Sequence, residues 1–154
     1  MEILTLGHSL RPLAEISEIL TTLRVGFVAD VRRFPGEKKN PGHGREAIEK
    51  LCLDLGVTHV ALGRQLGGGR TEGYRSYVDT ASFREGFAEL VDLARKRRTL
   101  VFCREAFFFR CHRKYIADEL MRQGWNVTHV LDAERSFKHR VGSYRASPRP
   151  DECE

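Results

Sequence analysis

The segment from Leu100 to Arg113, LVFCREAFFFRCHR, concentrates residue types that can do chemistry. Two thiols, a carboxylate and a histidine lie within one short connection, at Cys103, Glu105, Cys111 and His112. A buried strand accounts for the first residues and a helix start for the last ones, but neither accounts for this combination. The segment is therefore the first candidate for a functional site.

The thiols have two functional interpretations. The sequence predicts that Cys111, His112 and Arg113 form the first turn of a helix, where free N–H groups and the helix dipole stabilise a thiolate or a bound phosphate. Cys103, at a strand end, resembles the nucleophile of sulfur-transfer and phosphatase folds. The phosphatase spacing Cys-x(5)-Arg is not met, because the arginine comes one residue too late, at Arg110.

Other roles for the segment remain open. Glu105 is a fixed carboxylate if an arginine holds it, and a general acid or base if it lies in an apolar pocket. The segment also offers ligand atoms that zinc accepts. That ligand set would be Cys103, Cys111 and His112, with His8 or Glu105. Zinc is not favoured, because adjacent helical residues rarely face one ion, and no cofactor is assigned. Plain packing of both cysteines is the structural alternative.

The surrounding elements follow from the hydrophobic period. Strands and helices alternate along the chain, with helices over Leu13–Leu23 and Arg45–Leu55 and another that opens at the pattern Ser82-x-x-Glu85. The predicted strands are EILTLG, VGFVADV, VTHVAL, TLVFC and NVTHVLD. Right-handed crossovers place helices on both faces of such a sheet. We therefore expect a single-domain α/β three-layer sandwich with a mostly parallel five-stranded sheet.

The carboxyl ends of parallel strands are where ligands bind in such folds. Polar residues of this chain collect there, so we predict one shared site. The predicted catalytic residues are Glu105, His8, Cys103 and Cys111. The predicted substrate-binding residues are Ser9, Asp30, Arg32, Gly67, Gly68, His112 and Arg113. The glycines of LGGGR form either a backbone nest for an anion or a flexible lid.

Size and charge limit the function classes. The chain of 154 residues carries a net charge of +5, and basic residues cluster between Arg32 and Arg45. Such a surface favours an anionic partner, either a nucleotide or nucleic acid. We expect one α/β domain over residues 1–137 and a mobile basic tail over 138–154. No apolar run is long enough to cross a bilayer, so we expect a cytoplasmic protein without a membrane partner.

Several of these motifs resemble those of the DUF488 family, a family of uncharacterised function. The resemblance rests on TLGHS at Thr5–Ser9, DVRRFPGEKKNP at Asp30–Pro41, LGGGR at Leu66–Arg70 and CREAFFFRCHRKYIADEL at Cys103–Leu120. It implies a small Rossmann-like α/β fold and supplies no activity. This chain has phenylalanines at Phe107–Phe109, where many members carry a proline–tryptophan pair.

Two function classes follow. The first is an enzyme that acts on an anionic, nucleotide-like or nucleic-acid substrate in a pocket at the strand ends. The second is a non-catalytic nucleic-acid-binding module, of a kind associated with DNA repair, that uses Arg32, Arg33, Lys38, Lys39 and the tail. A closed pocket lined by the motif residues would favour the enzyme, and a shallow basic face would favour the module.

Overall fold

The computed structural model describes residues 1–36 and 41–141. The strands are β1 Glu2–Gly7, β2 Phe27–Asp30, β3 Thr58–Ala61, β4 Thr99–Cys103, β5 Asn126–Val130 and β6 Ser136–Lys138. The helices are α1 Leu13–Thr22, α2 Arg45–Leu55, α3 Gly63–Leu66, α4 Tyr74–Tyr77, α5 Ala81–Lys96 and α6 Arg113–Arg122. Single 3-10 turns occupy Pro41–His43 and Phe108–Arg110. No helix of this part of the chain has the length and apolar character needed to span a bilayer.

All strands belong to one sheet, in the order β3-β2-β4-β1-β5-β6. Strands β1 to β5 pair in parallel, and β6 pairs antiparallel with β5. The predicted α/β fold with a mostly parallel sheet is confirmed. Within the described residues the sheet has six strands rather than the predicted five. Strand β6 is missing from the prediction because it is only three exposed residues long and has no alternating apolar pattern.

Two separate cores lie on the two faces of the sheet. Ile16 of α1 and Ile48 of α2 pack with Phe102 on one face. Phe83 of α5 and Leu120 of α6 pack against the other face. Successive strand residues alternate between these cores, as the pleat of a strand requires. We call the first side the α1/α2 face and the second side the α5/α6 face.

The start of α5 differs from the sequence prediction, and two short helices are additional to it. Helix α5 begins after Thr80, whose side chain accepts a hydrogen bond from the Phe83 N–H at 3.2 Å. The N-cap is therefore Thr80 rather than Ser82. Ser82 already lies inside the helix, and the Thr80 hydroxyl is placed to accept the free N–H of Phe83. Two one-turn helices, α3 and α4, lie in the connection between β3 and α5.

The described chain beyond residue 137 contacts the sheet through His139. His139 is 2% exposed, and its N–H donates to the Val127 carbonyl at 2.8 Å. Antiparallel strand β6 carries the chain back over β5 and brings His139 against the sheet. The remainder of the predicted tail, residues 142–154, lies outside the described residues.

Candidate functional site

The structure divides the predicted site residues between the two faces of the sheet. His8 stacks on Phe102 and so lies on the α1/α2 face. Cys103 and Cys111 belong to the core of the α5/α6 face. This separation follows from the period-two alternation of a strand, because Phe102 and Cys103 are consecutive residues of β4. The predicted residues share one edge of the sheet but do not form one cleft.

Asp30 and Arg32 form a buried ion pair on the α1/α2 face. The Arg32 Nη2 donates to Asp30 Oδ2 at 2.7 Å, and His59 Nε2 lies 2.9 Å from the same oxygen. Burial opposes ionisation of Asp30, but hydrogen bonds from His59 and Arg32 outweigh it and lower the pKa of this carboxyl. Arg32 also donates to the carbonyl of His43. With these partners, Arg32 stabilises the end of β2.

His8 is fully buried beside this ion pair. Its ring stacks on the ring of His43, with centroids 4.6 Å apart. The Nδ1 atom lies 2.9 Å from the Ser9 carbonyl, so Nδ1 carries the hydrogen and donates it. Burial lowers the pKa of His8 to about 4, and the ring is neutral at pH 7.

Backbone contacts close the gap between β1 and β4, where the connections depart to opposite faces. The His8 N–H donates to the Cys103 carbonyl and the Ser9 N–H donates to the Arg104 carbonyl, both at 2.8 Å. A Cβ atom on Gly7 would lie 1.8 Å from the Glu105 carbonyl oxygen. Glycine at this position therefore permits the close contact between β1 and the loop after β4.

The glycine loop after α3 serves close packing. Its carbonyls face cations, since Arg33 Nη1 donates to the Gly69 carbonyl at 2.6 Å and Arg70 Nε donates to the Gly67 carbonyl at 2.9 Å. A Cβ atom on Gly67 would lie 2.5 Å from Arg33 Cβ. A Cβ atom on Gly68 would lie 3.1 Å from His112 Nδ1. Carbonyls that accept from arginines do not form the predicted nest of N–H groups for an anion.

The two cysteines of the opening segment meet beneath this loop. Their sulfur atoms lie 3.1 Å apart, and both residues have no exposed surface. Helix α6 begins at Arg113, so Cys111 precedes the first turn in which the sequence places it. The Arg113 N–H nevertheless lies 3.4 Å from the Cys111 sulfur. Burial lowers the pKa of the neighbouring His112 to about 3.

The candidate zinc ligands do not form a metal site in the described part of the chain. Within residues 1–36 and 41–141, no group of three or more His, Cys, Asp or Glu side chains is arranged to hold an ion.

A cavity of about 220 Å³ opens at the carboxyl ends of β4 and β5. We call it the aromatic pocket. Its lining residues are Ala106, Phe107, Phe108, Phe109, Arg113, His129, Val130, Leu131 and Phe137. The three phenylalanines of the opening segment thus form one wall, and the chain around β6 forms the other. The pocket lies where ligands bind in parallel α/β sheets.

The aromatic rings of the pocket differ in exposure. Phe108 stacks on His129 with centroids 4.1 Å apart and an interplanar angle of 11°. Phe107 and Phe109 keep 52% and 41% of their surface exposed. The guanidinium of Arg110 lies 5.5 Å from the first of these rings and 6.0 Å from the second. Glu105 lies next to this wall in sequence, and its carboxylate accepts the Phe107 N–H at 3.2 Å.

Among residues 1–36 and 41–141, Arg113 is the only charged residue that lines the aromatic pocket. It is 2% exposed, and burial lowers its pKa. Its Nη2 donates to the carbonyls of Glu105 and Ala106 at 2.8 and 3.2 Å, and its Nη1 donates to Thr5 Oγ1 at 3.3 Å. Among the described residues the buried Nε–H has no hydrogen-bond acceptor, while the Cys103 sulfur and the Glu105 carboxylate lie near enough to favour the charged guanidinium.

Sequence reasoning missed the residues behind this arginine. The Thr5 Oγ1 lies 2.6 Å from His129 Nδ1. The His129 Nε2 lies 2.9 Å from His139 Nδ1, and the His139 Nε2 lies 2.7 Å from Asp118 Oδ1. Burial lowers the pKa of His129 to about 2. A histidine inside the predicted strand NVTHVLD was the available signal, because a polar residue on a buried strand needs a partner.

The comparisons with known proteins give a family without an assigned activity. No curated protein and no solved structure matches the chain. Residues 12–120 match the family described as "Domain of unknown function DUF488". The matched range includes β2 to β4, the glycine loop, Arg113 and three phenylalanines of the aromatic pocket. Since this range covers well over half of the sequence, the chain belongs to the DUF488 family.

Proposed function

We propose that the protein is an enzyme that acts on an anionic, nucleotide-like substrate bound in the aromatic pocket. The observation that carries this proposal is the buried guanidinium of Arg113 in a pocket walled by aromatic rings. The pocket combines one cation with apolar planar surfaces. A nucleotide combines an anion with a planar ring, so the two are complementary.

The charge of Arg113 supports an anionic ligand. Burial disfavours the charge of Arg113 more than the nearby Glu105 and Cys103 favour it, and an anion that enters the pocket would compensate this charge further. The Arg113 Nε–H is a donor without an acceptor in the described part of the chain. A phosphate or carboxylate oxygen near this group would gain a charge-assisted hydrogen bond.

The aromatic walls of the pocket favour a ligand that contains a planar ring. Base–aromatic stacking contributes about 1–3 kcal/mol per base, and the exposed faces of Phe107 and Phe109 are available for it. The cavity of about 220 Å³ is small for a ligand pocket. It therefore suits one ring system with its phosphate better than a bulky substrate.

Glu105 is the residue to which we assign proton transfer. It lies in the same loop as the phenylalanines, and one of its carboxylate oxygens accepts the Phe107 N–H. The other predicted catalytic groups are less accessible, because His8, Cys103 and Cys111 have no exposed surface. We therefore place the reacting part of the substrate at the Glu105 side of the pocket.

A second candidate function is binding of single-stranded nucleic acid. Arg110 lies beside the exposed rings of Phe107 and Phe109, and basic residues interleaved with aromatic rings are typical of single-strand binding surfaces. The basic face proposed from the sequence has less support, because Arg32 is 3% exposed and paired with Asp30. Lys38 and Lys39 lie outside the described residues.

Calorimetric titration with the four ribonucleoside 5′-monophosphates tests the proposal. We expect saturable binding in wild type and affinity at least about tenfold weaker in the double variant Phe107→Ala, Phe109→Ala. The control is Leu53→Ala, which removes an exposed apolar side chain from α2, away from the pocket. Glu105→Gln should retain binding and abolish conversion of the bound nucleotide, followed by mass spectrometry.

The alternatives give different results. Oligonucleotides that bind at least tenfold more tightly than mononucleotides, with none converted, would favour the single-strand binding module. Equal nucleotide affinity in wild type and in the double variant would exclude the aromatic pocket as the binding site.

A further inference from the structure

A continuous chain of buried hydrogen bonds runs from the aromatic pocket to α6. We call Thr5, His129, His139 and Asp118 the histidine chain. Its three distances are 2.6, 2.9 and 2.7 Å, and every member is less than a tenth exposed. At the pocket end, Arg113 Nη1 donates to the Thr5 hydroxyl.

We propose that the histidine chain is a positioning device that orients Arg113 for the anionic group of the substrate. This inference rests on the proposed function. It assigns positioning roles to Thr5, His139 and Asp118, which do not line the aromatic pocket, and to His129, which lines the pocket and also belongs to the chain. These roles follow from which group donates in each hydrogen bond of the chain.

The carboxylate sets that direction. An ionised Asp118 can only accept, so the His139 Nε2, 2.7 Å away, must carry a hydrogen. In a neutral ring the His139 Nδ1 is then an acceptor. It therefore receives the hydrogen of the His129 Nε2, 2.9 Å away.

The donors in the two hydrogen bonds nearest the pocket follow in the same way. With its hydrogen on Nε2, a neutral His129 must accept at Nδ1, and the donor is the Thr5 hydroxyl at 2.6 Å. Thr5 has thereby given its one hydrogen, so its oxygen is left to accept from Arg113. Within the chain Thr5, His129 and His139 each donate one hydrogen bond and accept one, Asp118 only accepts, and both histidines have a single tautomer.

The reverse direction is unfavourable. It would require a doubly protonated His139, and the second donor of that ring would force His129 to donate to Thr5. Thr5 would then receive two donors, one of them from Arg113, and a second positive charge would be buried near the guanidinium. The neutral chain avoids both costs.

The consequence for the pocket is a fixed guanidinium. The Thr5 oxygen holds Nη1, and the carbonyls of Glu105 and Ala106 hold Nη2. With both terminal nitrogens held, the plane of the guanidinium and the direction of its Nε–H are determined. If the hydrogen bonds ran in the opposite direction, His129 would donate to the Thr5 oxygen and compete with Arg113 Nη1 for it. The guanidinium would then lose the constraint on Nη1.

Long-range ¹H–¹⁵N spectra of the histidines of the full chain test the direction without any ligand. We expect His129 and His139 to be neutral Nε2–H tautomers at pH 7, assigned by His→Gln replacements. A protonated ring, or an Nδ1–H tautomer at either residue, would overturn the inference.

Ligand selectivity tests the positioning role. The measurement is the ratio of affinities for ribonucleoside 5′-monophosphate and nucleoside, which a loss of stability alone would not change. Asp118→Ala should lower this ratio about tenfold, as removal of an orienting partner generally does. Asp118→Asn keeps an acceptor oxygen and should restore most of it. Glu119→Ala is the control, because it removes an α6 carboxylate paired with Arg84 and Arg122 instead.

The outcomes separate the two proposals. A wild-type protein that binds the monophosphate no better than the nucleoside contradicts the proposed function, and the tautomers then still decide whether the chain runs as inferred. A wild-type protein that prefers the monophosphate, with an Asp118→Ala variant that keeps the full preference, contradicts the positioning role alone.

Discussion

At the residue scale, Arg113 connects the aromatic pocket with the rest of the fold. Its Nη2 holds the carbonyls of the loop after β4, and its Nη1 holds Thr5 in the middle of β1. Only a planar group with several fixed donors can make these contacts together. Lysine, with one nitrogen, cannot replace it, so the position requires arginine for geometry as well as for charge.

Gly7 is the residue that keeps this loop in place. A methyl group there would overlap the Glu105 carbonyl, which also accepts from Arg113. We therefore expect Gly7→Ala to lower the free energy of unfolding by about 3 kcal/mol, measured by urea denaturation. Gly36→Ala, where no residue of the described ranges lies within 4 Å of the added Cβ, is the matched control. Equal stability of the two variants would mean that the loop does not approach β1 this closely.

At the element scale, the sequence predicts the long periodic elements and misses the short ones. The bounds of α2, Arg45–Leu55, agree because an apolar stripe ends at Gly56, which has a φ of 72°. Strand β6 and the one-turn helices α3 and α4 are too short for any period. They are formed by tertiary contacts, such as the Tyr74 hydroxyl that donates to the Leu66 carbonyl.

The start of α5 provides a test at this scale. Thr80→Ala removes the acceptor for the Phe83 N–H and should lower the free energy of unfolding by about 1 kcal/mol. Glu85→Ala, at the exposed position of the capping box predicted from the sequence, should change it by less than about 0.5 kcal/mol. Thermal denaturation of both variants gives the comparison. A larger effect at Glu85 would restore the predicted cap.

At the scale of the whole molecule, the sheet brings the motif residues to one edge and the pleat divides them between two faces. Ligands bind at the carboxyl ends of parallel strands, and this general feature predicts the edge of the sheet at which the motif residues lie. It does not predict the face, because the relative register of neighbouring strands, such as Gly7 beside Cys103, depends on pairing distant in sequence. The aromatic pocket also needs β6, which the sequence assigned in part to a tail. The candidate site was therefore predictable in its loop and in Arg113, but not in its second wall.

Buried neutral histidines predict the response of the whole fold to acid. Burial lowers the pKa of His8, His112 and His129 from 6.5 to about 4, 3 and 2. Below pH 6.5 the unfolded chain therefore binds protons that the folded chain does not, and stability falls as pH falls. Each histidine contributes about 1.4 kcal/mol per pH unit between its two pKa values.

Urea denaturation between pH 7.5 and 4.5 measures this effect. We expect a continuous loss of stability below pH 6.5, and a shallower loss in His8→Phe, which has one fewer histidine to protonate. The comparison concerns the slope with pH, so a general destabilisation of the variant does not obscure it. Stability independent of pH in this window would contradict the burial of neutral rings.

The pocket itself is tested most directly by the NMR signal of the Arg113 Nε–H during titration with ribonucleoside 5′-monophosphates. Because this donor has no acceptor in the described part of the chain, a phosphate oxygen should shift its resonance and slow its exchange with water. We expect a saturable shift with monophosphates, accompanied by shifts of Phe107 and Phe109, and no shift at Nε–H with nucleosides. An unchanged Arg113 signal, with ligand-induced shifts confined to other surfaces, would contradict anion binding in the aromatic pocket.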